Sequence, residues 1–259
     1  MKLSEKVLAN KGRLKSVIFF DLDGTLIKGP FEKYVFPKLF CEISSASGLD
    51  VHEIRSMIVR ENFHRQRAET KCPPRAMDWD EIIAEITKKL NIIIESTVSE
   101  LVNMYCKPPY SSLITGARQV LSDLNSPNRA IIAATKGLAK YQIPILEALE
   151  IHDYFTDILT PETNNSLKSD RRFYGFWGEL DHLKISIGDH FEDDVVAPKA
   201  FGFRSVWLKS SEIPSLVELD PELRVNRFMD NEDGATRPDA LAFDLREIPK
   251  IVRRLEAAV

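Results

Sequence analysis

The chain has no apolar run approaching the roughly 18 residues of a membrane-spanning helix, and its charged opening, MKLSEKVLANKGRLK, lacks an apolar core of signal-peptide length. No segment is expected to enter or cross a bilayer. Cysteine is scarce. Cys41, Cys72 and Cys106 are an odd number with no CxxC pair, which fits a reducing compartment, the cytoplasm, rather than a disulfide-held secreted scaffold. A basic excess is also missing: 35 Lys and Arg stand against 39 Asp and Glu, for a formal net charge of -4. That balance excludes a protein that coats nucleic acid by neutralising phosphates and favours a small-molecule partner. There is no internal repeat or low-complexity tract. What is present is an ordinary globular composition, 44% hydrophobic and 29% charged over 259 residues, enough to bury a large core without disulfides or structural metal.

Short apolar runs rich in β-branched or aromatic residues, each ending in a turn-forming polar residue, predict strands over 17–20, 130–134, 184–187 and 205–208, with a weaker one over 240–243. Helical spacing falls between them, over 117–124, 138–149 and 194–201, and again over 248–257. The alternation implies right-handed βαβ units, hence an α/β fold with a parallel sheet covered on both faces and an active site at the carboxyl ends of its strands. Residues 28–110 break the pattern. Here Asp50 with Glu53, Asp78 with Glu81 and Thr97 with Glu100 are helix-start pairs, and Ile82, Ile83, Ile86 and Leu90 form one apolar helical stripe. Cys106-Lys107-Pro108-Pro109 cannot continue a helix, so an all-helical domain over 28–110 is expected to be inserted into an α/β core made of 1–27 and 111–259. The polar segment 211–238, with a loop over 230–234, carries no assignable chemistry.

The first strand runs into Asp21-Leu22-Asp23-Gly24-Thr25. Carboxylates two residues apart on an extended chain project to one side, which suits a nucleophile paired with an acid/base in phosphoryl transfer. Taken alone, Asp-Gly is also an ordinary turn. A calcium loop fits worse, because its sixth position would need Gly where Leu26 stands. The other strand ends supply complementary groups. Thr135-Lys136-Gly137 offers a hydroxyl and backbone N–H groups to a phosphate at a helix start, Lys168 follows a turn-rich stretch, and Gly188, Asp189, Asp193 and Asp194 form an acidic cluster able to hold a hard divalent cation.

In the order and spacing of these four segments, and across the whole α/β portion, the sequence resembles the haloacid dehalogenase superfamily. The resemblance implies a Rossmann-like core with a mobile helical cap inserted after the first motif. It implies Asp21 as nucleophile forming an aspartyl-phosphate, Asp23 as acid and then base, and Thr135, Lys136, Gly137 and Lys168 around the phosphoryl oxygens. Mg²⁺ would be held by Asp21, the backbone carbonyl of Asp23, Asp189 and Asp194, with Asp193 alternatively serving the helix start. His190 departs from the small hydroxyl residue common there and reads as an exposed loop histidine.

The activity so implied is hydrolysis of a small phosphorylated metabolite, a phosphate monoester. Dehalogenation fits less well, since a departing halide needs no proton from Asp23. A phosphomutase or a phosphonate-cleaving enzyme would use the same core, the latter with a cap lysine such as Lys33, Lys38 or Lys71, and a non-catalytic phosphate-binding regulator is the alternative of another class. Phe176 and Trp177 read as packing, the cysteines as buried small hydrophobes, and His152 and His182 as surface residues. Arg60, His64, Arg65, Arg67, Lys71 and Arg75 read either as a solvated face or as a source of an arginine, Arg65 or Arg67, for a second anionic group of the substrate.

Overall fold

The computed structural model describes residues 14–67, 72–209, 221–222, 224–225 and 236–258. Strand β1, Ser16–Phe20, is buried along its whole length, and its side chains alternate between two cores: Ile18 and Phe20 enter one, Val17 and Phe19 the other. A strand apolar on both faces has to lie inside a sheet covered on both sides. It does so here. In chain order the remaining sheet strands are β4, Arg129–Ala134; β5, Asp157–Leu159; β6, Leu183–Gly188; β7, Arg204–Leu208; and β8, Ala240–Ala242, and the spatial order is β5-β4-β1-β6-β7-β8. All pairings are parallel, with Phe20 level with Ala133 on one side and Ile187 on the other, so β1, β4 and β6 end together. Strand β5 was not foreseen, because three residues beginning with a polar Asp carry no strand signal.

On one face lie helices α5, Ala117–Leu124, α6, Ala139–Ala148, and α9, Ile248–Ala257. On the other, Phe173, Tyr174 and Trp177 of the segment leading through α7, Gly175–Glu179, pack on Phe19, whose ring meets Tyr174 edge-on at 5.2 Å. Glu256 of α9 ties the first face down by accepting two hydrogen bonds from Arg129, both 2.7 Å, and one from Ser16. The expected helix over 194–201 starts earlier, as a π-helical turn over Phe191–Val196 followed by α8, Ala197–Ala200.

Between β2, Ile27–Lys28, and β3, Ser112–Leu113, which pair antiparallel, the described chain is helical. After a turn over Phe31–Val35 come α1, Phe36–Ser47; α2, Val51–Arg67; α3, Trp79–Leu90; and α4, Val98–Tyr105. The foreseen start signals are in place. Asp78 accepts from Glu81 N–H, and Thr97 and Glu100 cap each other reciprocally. Ile82, Ile83 and Ile86 are buried and α3 stops at left-handed Asn91. The helices share one continuous apolar core with the sheet, from Ile18 and Leu22 to Leu39 and Ile58.

Some expectations fail or fall outside. Cys41 and Cys72 are exposed and Cys106 half-buried; on α1, Leu39 and Ile43 take the inner face and leave Cys41 outside, while Cys72 and Cys106 lie beyond helix ends. His152 and His182 are half-buried at the surface, in keeping with the expectation. The loop over 230–234, Glu69 and Lys71 lie outside the described residues.

Trp177 is 1% exposed and donates its indole N–H to Asp157 at 2.8 Å, as the packing role requires. Trp177→Ala should lower unfolding free energy by about 3–5 kcal/mol, read from urea denaturation; a loss under about 1 kcal/mol would mean that this face of the sheet contributes little.

Candidate active site

At the end of β1 the Asp21 N–H still donates to Ile187 O at 2.9 Å, so the nucleophile candidate is held in the sheet's register while its side chain leaves the carboxyl edge. Leu22 beside it is fully buried, and its carbonyl accepts from the N–H groups of Thr25, Leu26 and Ile27, which closes a tight turn. Gly24 sits in that turn at φ +84°, where a Cβ would lie 2.4 Å from Asp189 Oδ2. Both the left-handed backbone and the close approach require glycine. Thr25, buried, donates its hydroxyl to Asp189 Oδ1 at 3.1 Å.

Lys168 is 2% exposed, and its ammonium lies 2.7 Å from Asp21 Oδ1 and 2.6 Å from Asp194 Oδ1. Burial disfavours that ammonium, but the charges of Asp194 and Asp21 outweigh it and hold Lys168 protonated above its usual range. Asp194 Oδ2 accepts from His190 N–H at 3.0 Å, and a Cβ on Gly188 would stand 2.1 Å from that oxygen. Carboxylate oxygens of Asp21, Asp189 and Asp194 all lie within 4.8 Å of one another. An all-oxygen set of this size, crowded in at positions where neighbours must be glycine, fits a hard divalent cation such as Mg²⁺.

The structure separates the two adjacent acids. Asp194 joins the carboxylate cluster. Asp193 turns away, accepting from Lys136 at 2.8 Å and facing His190 Nδ1 at 3.0 Å, and its own N–H is capped by the His190 side chain. It is not the helix-start residue; His190 is. Lys136 therefore spends its charge on Asp193, while Thr135, 2% exposed, accepts from Gly137 N–H and keeps the loop after β4 closed.

Asp23 has an edge open to solvent and receives a hydrogen bond on Oδ2 from Gln142 Nε2 at 2.7 Å. Gln142 was not foreseen. The signal was there: it lies on the same face of α6 as Tyr141, Ile145 and Leu146, and a buried polar residue in such a stripe needs a partner. It also packs so closely on Gly137 that a Cβ there would meet Nε2 at 2.3 Å. Among the described residues, Arg65 and Arg67 make no contact with the carboxylate cluster. Arg65 is bound to Glu61 and Glu81 within the helical segment, Arg75 to Glu81, and Arg67 ends α2 exposed.

No protein-family model and no curated protein matches the sequence. Solved structures match along nearly the whole chain. A HAD phosphatase from Thermococcus onnurineus superposes with TM-score 0.67 at 19% identity, over 92% of this chain and 97% of its own. The fold is that of the haloacid dehalogenase superfamily. A magnesium-bound hydrolase of that superfamily from Bacillus subtilis gives 0.60 at 14% identity, over 93% and 99% of the two chains. The L-2-haloacid dehalogenase of Xanthobacter autotrophicus gives 0.57 at 18%, over 93% and 98%.

As in any site of crowded carboxylates, protonation is the alternative to a cation. Burial pushes Asp21 up to about 8, Asp194 and Asp189 adding to the effect and Lys168 opposing it. Burial likewise pushes Asp23 up to about 6, the Gln142 hydrogen bond opposing. Both folded values exceed the unfolded one, so the folded state holds more protons between pH 4 and 8 and loses stability as pH rises through that window. With chelator present, urea denaturation should show that decline for the parent and a flatter profile for Asp21→Asn. Equal profiles would mean that Asp21 is not strained.

Proposed function

We propose that the protein is a Mg²⁺-dependent phosphatase that hydrolyses a small phosphate monoester through an aspartyl-phosphate. The observation that carries this reading is the division of labour between two carboxylates of one turn: Asp21 sits among Lys168, Asp189 and Asp194, while Asp23 stands apart with, among the described residues, only Gln142 hydrogen-bonded to its carboxylate. Asp21, Asp189, Asp194 and the backbone carbonyl of Asp23 would hold the cation, which when bound offsets the negative charge that otherwise keeps a phosphoryl group from a carboxylate.

Lys168 occupies Oδ1 of Asp21 and leaves Oδ2 to attack phosphorus. As the P–O bond to the alcohol breaks, Asp23 gives its proton to the departing oxygen; a carboxyl raised to about 6 retains a protonated fraction for that purpose near neutrality. The same group, now a carboxylate, takes a proton from the water that attacks the aspartyl-phosphate and releases inorganic phosphate. Thr135, the N–H groups of its loop and Lys168 bind the phosphoryl oxygens, with Lys136 steadying the loop through Asp193. Gln142 aims Asp23. Residues 28–110 act as a cap over this edge, excluding water from the first step.

The alternatives lose ground. Dehalogenation leaves the proton on Asp23 without a use. A Schiff-base lysine for phosphonate cleavage has to be neutral, yet Lys38 is exposed and held above its ordinary range by its hydrogen bond to Glu42. The free thiols of all three cysteines support a cytoplasmic setting.

A phosphate-ester screen with and without Mg²⁺ tests the reading. Turnover should require the metal and vanish in Asp21→Asn, and Asp23→Asn should lower kcat by about 10²–10⁴-fold. Parent-like activity in Asp21→Asn would sink the covalent route. Asp189→Ala should raise the Mg²⁺ requirement far more than Asp193→Ala, since Asp193 is committed to Lys136; the reverse order in a Mg²⁺ titration would show that the acidic cluster is misassigned.

A further inference from the structure

The cap contains a cavity of about 600 Å³ between α1 and α2, within the size range of pockets for small organic ligands. Its walls include Phe36, Phe40, Trp79 and Val59, and its lining also contains Glu32 and Arg55. The rings are ordered for stacking: Phe36 and Phe40 lie 5.9 Å apart with their planes within 12° of parallel, and Trp79 meets Phe36 edge-on at 5.2 Å.

One end of this cavity adjoins the catalytic edge. Glu32 lines it, three residues beyond Gly29, on which a Cβ would lie 2.5 Å from Asp23 Oδ1. Phe31, next to Glu32, packs between Phe36 and Tyr141, and Tyr141 immediately precedes the Gln142 that holds Asp23. Since Asp23 is the group that protonates the leaving alcohol, the alcohol half of the ester lies on its side of the phosphorus, where the cavity begins.

The other end is cationic. Phe40 lies two helical turns beyond Glu32, about 12 Å along the axis. Three residues, Gly48 to Asp50, connect α1 to α2 and fold α2 back along it, so Arg55, in the first half of α2, stands beside the far end of α1. Arg55 is exposed and, among the described residues, has no carboxylate partner, whereas Arg65 and Arg75 are both neutralised by glutamates.

We infer that this cavity binds the leaving group of the substrate, and that the substrate class is a phosphate monoester of an elongated, flat apolar alcohol that ends in an anionic group, such as a carboxylate, held by Arg55. The inference rests on the phosphatase reading for the position of the phosphorus. Glu32 adds selectivity, repelling an anion placed close to the phosphate, so the second charge has to be distal. The guanidinium offers the carboxylate a two-pronged contact that an ammonium does not reproduce fully.

The probes are biphenylmethyl phosphate, its derivative with a carboxylate at the distal ring, and the two corresponding alcohols. In the Mg²⁺-loaded parent, kcat/KM for the carboxylated ester should exceed that for the plain ester by about tenfold or more, the worth of a charge-assisted hydrogen bond. By calorimetry, which needs no turnover, the carboxylated alcohol should bind more tightly than the plain one by a similar factor. Arg55→Ala should bring both ratios to about one, Arg55→Lys should retain part of each, and Val59→Trp, which fills the cavity, should remove binding of both alcohols. If the parent shows no carboxylate preference in either measurement, or if Arg55→Ala keeps it, the assignment of the cavity is overturned. Carboxylate-selective alcohol binding without turnover of any ester would leave the cavity assignment standing and reject the phosphatase reading. Turnover of small esters without that selectivity would do the opposite.

Discussion

Lys168 is a buried cation between two carboxylates, and the geometry of the whole catalytic edge follows from keeping it solvated by protein. An ammonium at 2% exposure is tolerable only with full compensation, and Asp21 and Asp194 provide it from the ends of two different segments, β1 and the turn after β6. Those segments can meet at one nitrogen because β1 and β6 are hydrogen-bonded neighbours that end level with each other. The loop that carries Lys168 follows β5, at the edge of the sheet beyond β4. Three connections are thus pinned by one charge. Removing it would strand two carboxylates in a site already short of positive charge, a change worth about 3–5 kcal/mol for buried pairs.

The same crowding explains why small residues recur at the turn points. Gly24 and Gly188 leave the space that the oxygens of Asp189 and Asp194 occupy, and Gly137 leaves that of the Gln142 amide. Through Gln142 the helical segment is also connected to the chemistry. Its neighbour Tyr141 places its hydroxyl 3.1 Å from both Asp78 and Asp80 at the start of α3, where Lys140 binds the same two acids at 2.7 and 2.9 Å. One stretch of α6 therefore grips the helical segment on one side and Asp23 on the other.

Much of this was legible in the chain. β1, β4, β6 and β7 announce themselves as short β-branched runs because strands buried on both faces need apolar side chains at every position. The residues at their ends are legible because chemistry demands particular groups there: Asp21 and Asp23 before Gly24, Thr135 after β4, Asp189 after β6. The parts that escaped depend on distant segments meeting. Gln142 acquires its partner only when α6 packs beside the first turn, 119 residues away in sequence. Arg65 is paired with Glu61 one turn back on its own helix, but its second partner, Glu81, and the cavity beside Arg55 exist only once α3 packs on α2. The exposure of Cys41 and Cys72 was not legible either, since cysteine type alone does not say which way a side chain faces.

The two carboxylates of the first turn are chemically identical, and their environments set them apart. Asp21 is surrounded by charge: Lys168 pulls toward ionisation, while burial, Asp194 and Asp189 push against it, so its state depends on whether a cation joins the cluster. Among the described residues, Asp23 has no cationic side chain on it. Its carboxyl is raised chiefly by burial, with Asp189 and Glu32 contributing smaller repulsions, and its hydrogen-bond donor is the neutral Gln142. A neutral partner fixes the direction of a carboxyl without strongly favouring its ionised form, which is the condition for a group that has to give a proton in one step and take it back in the next.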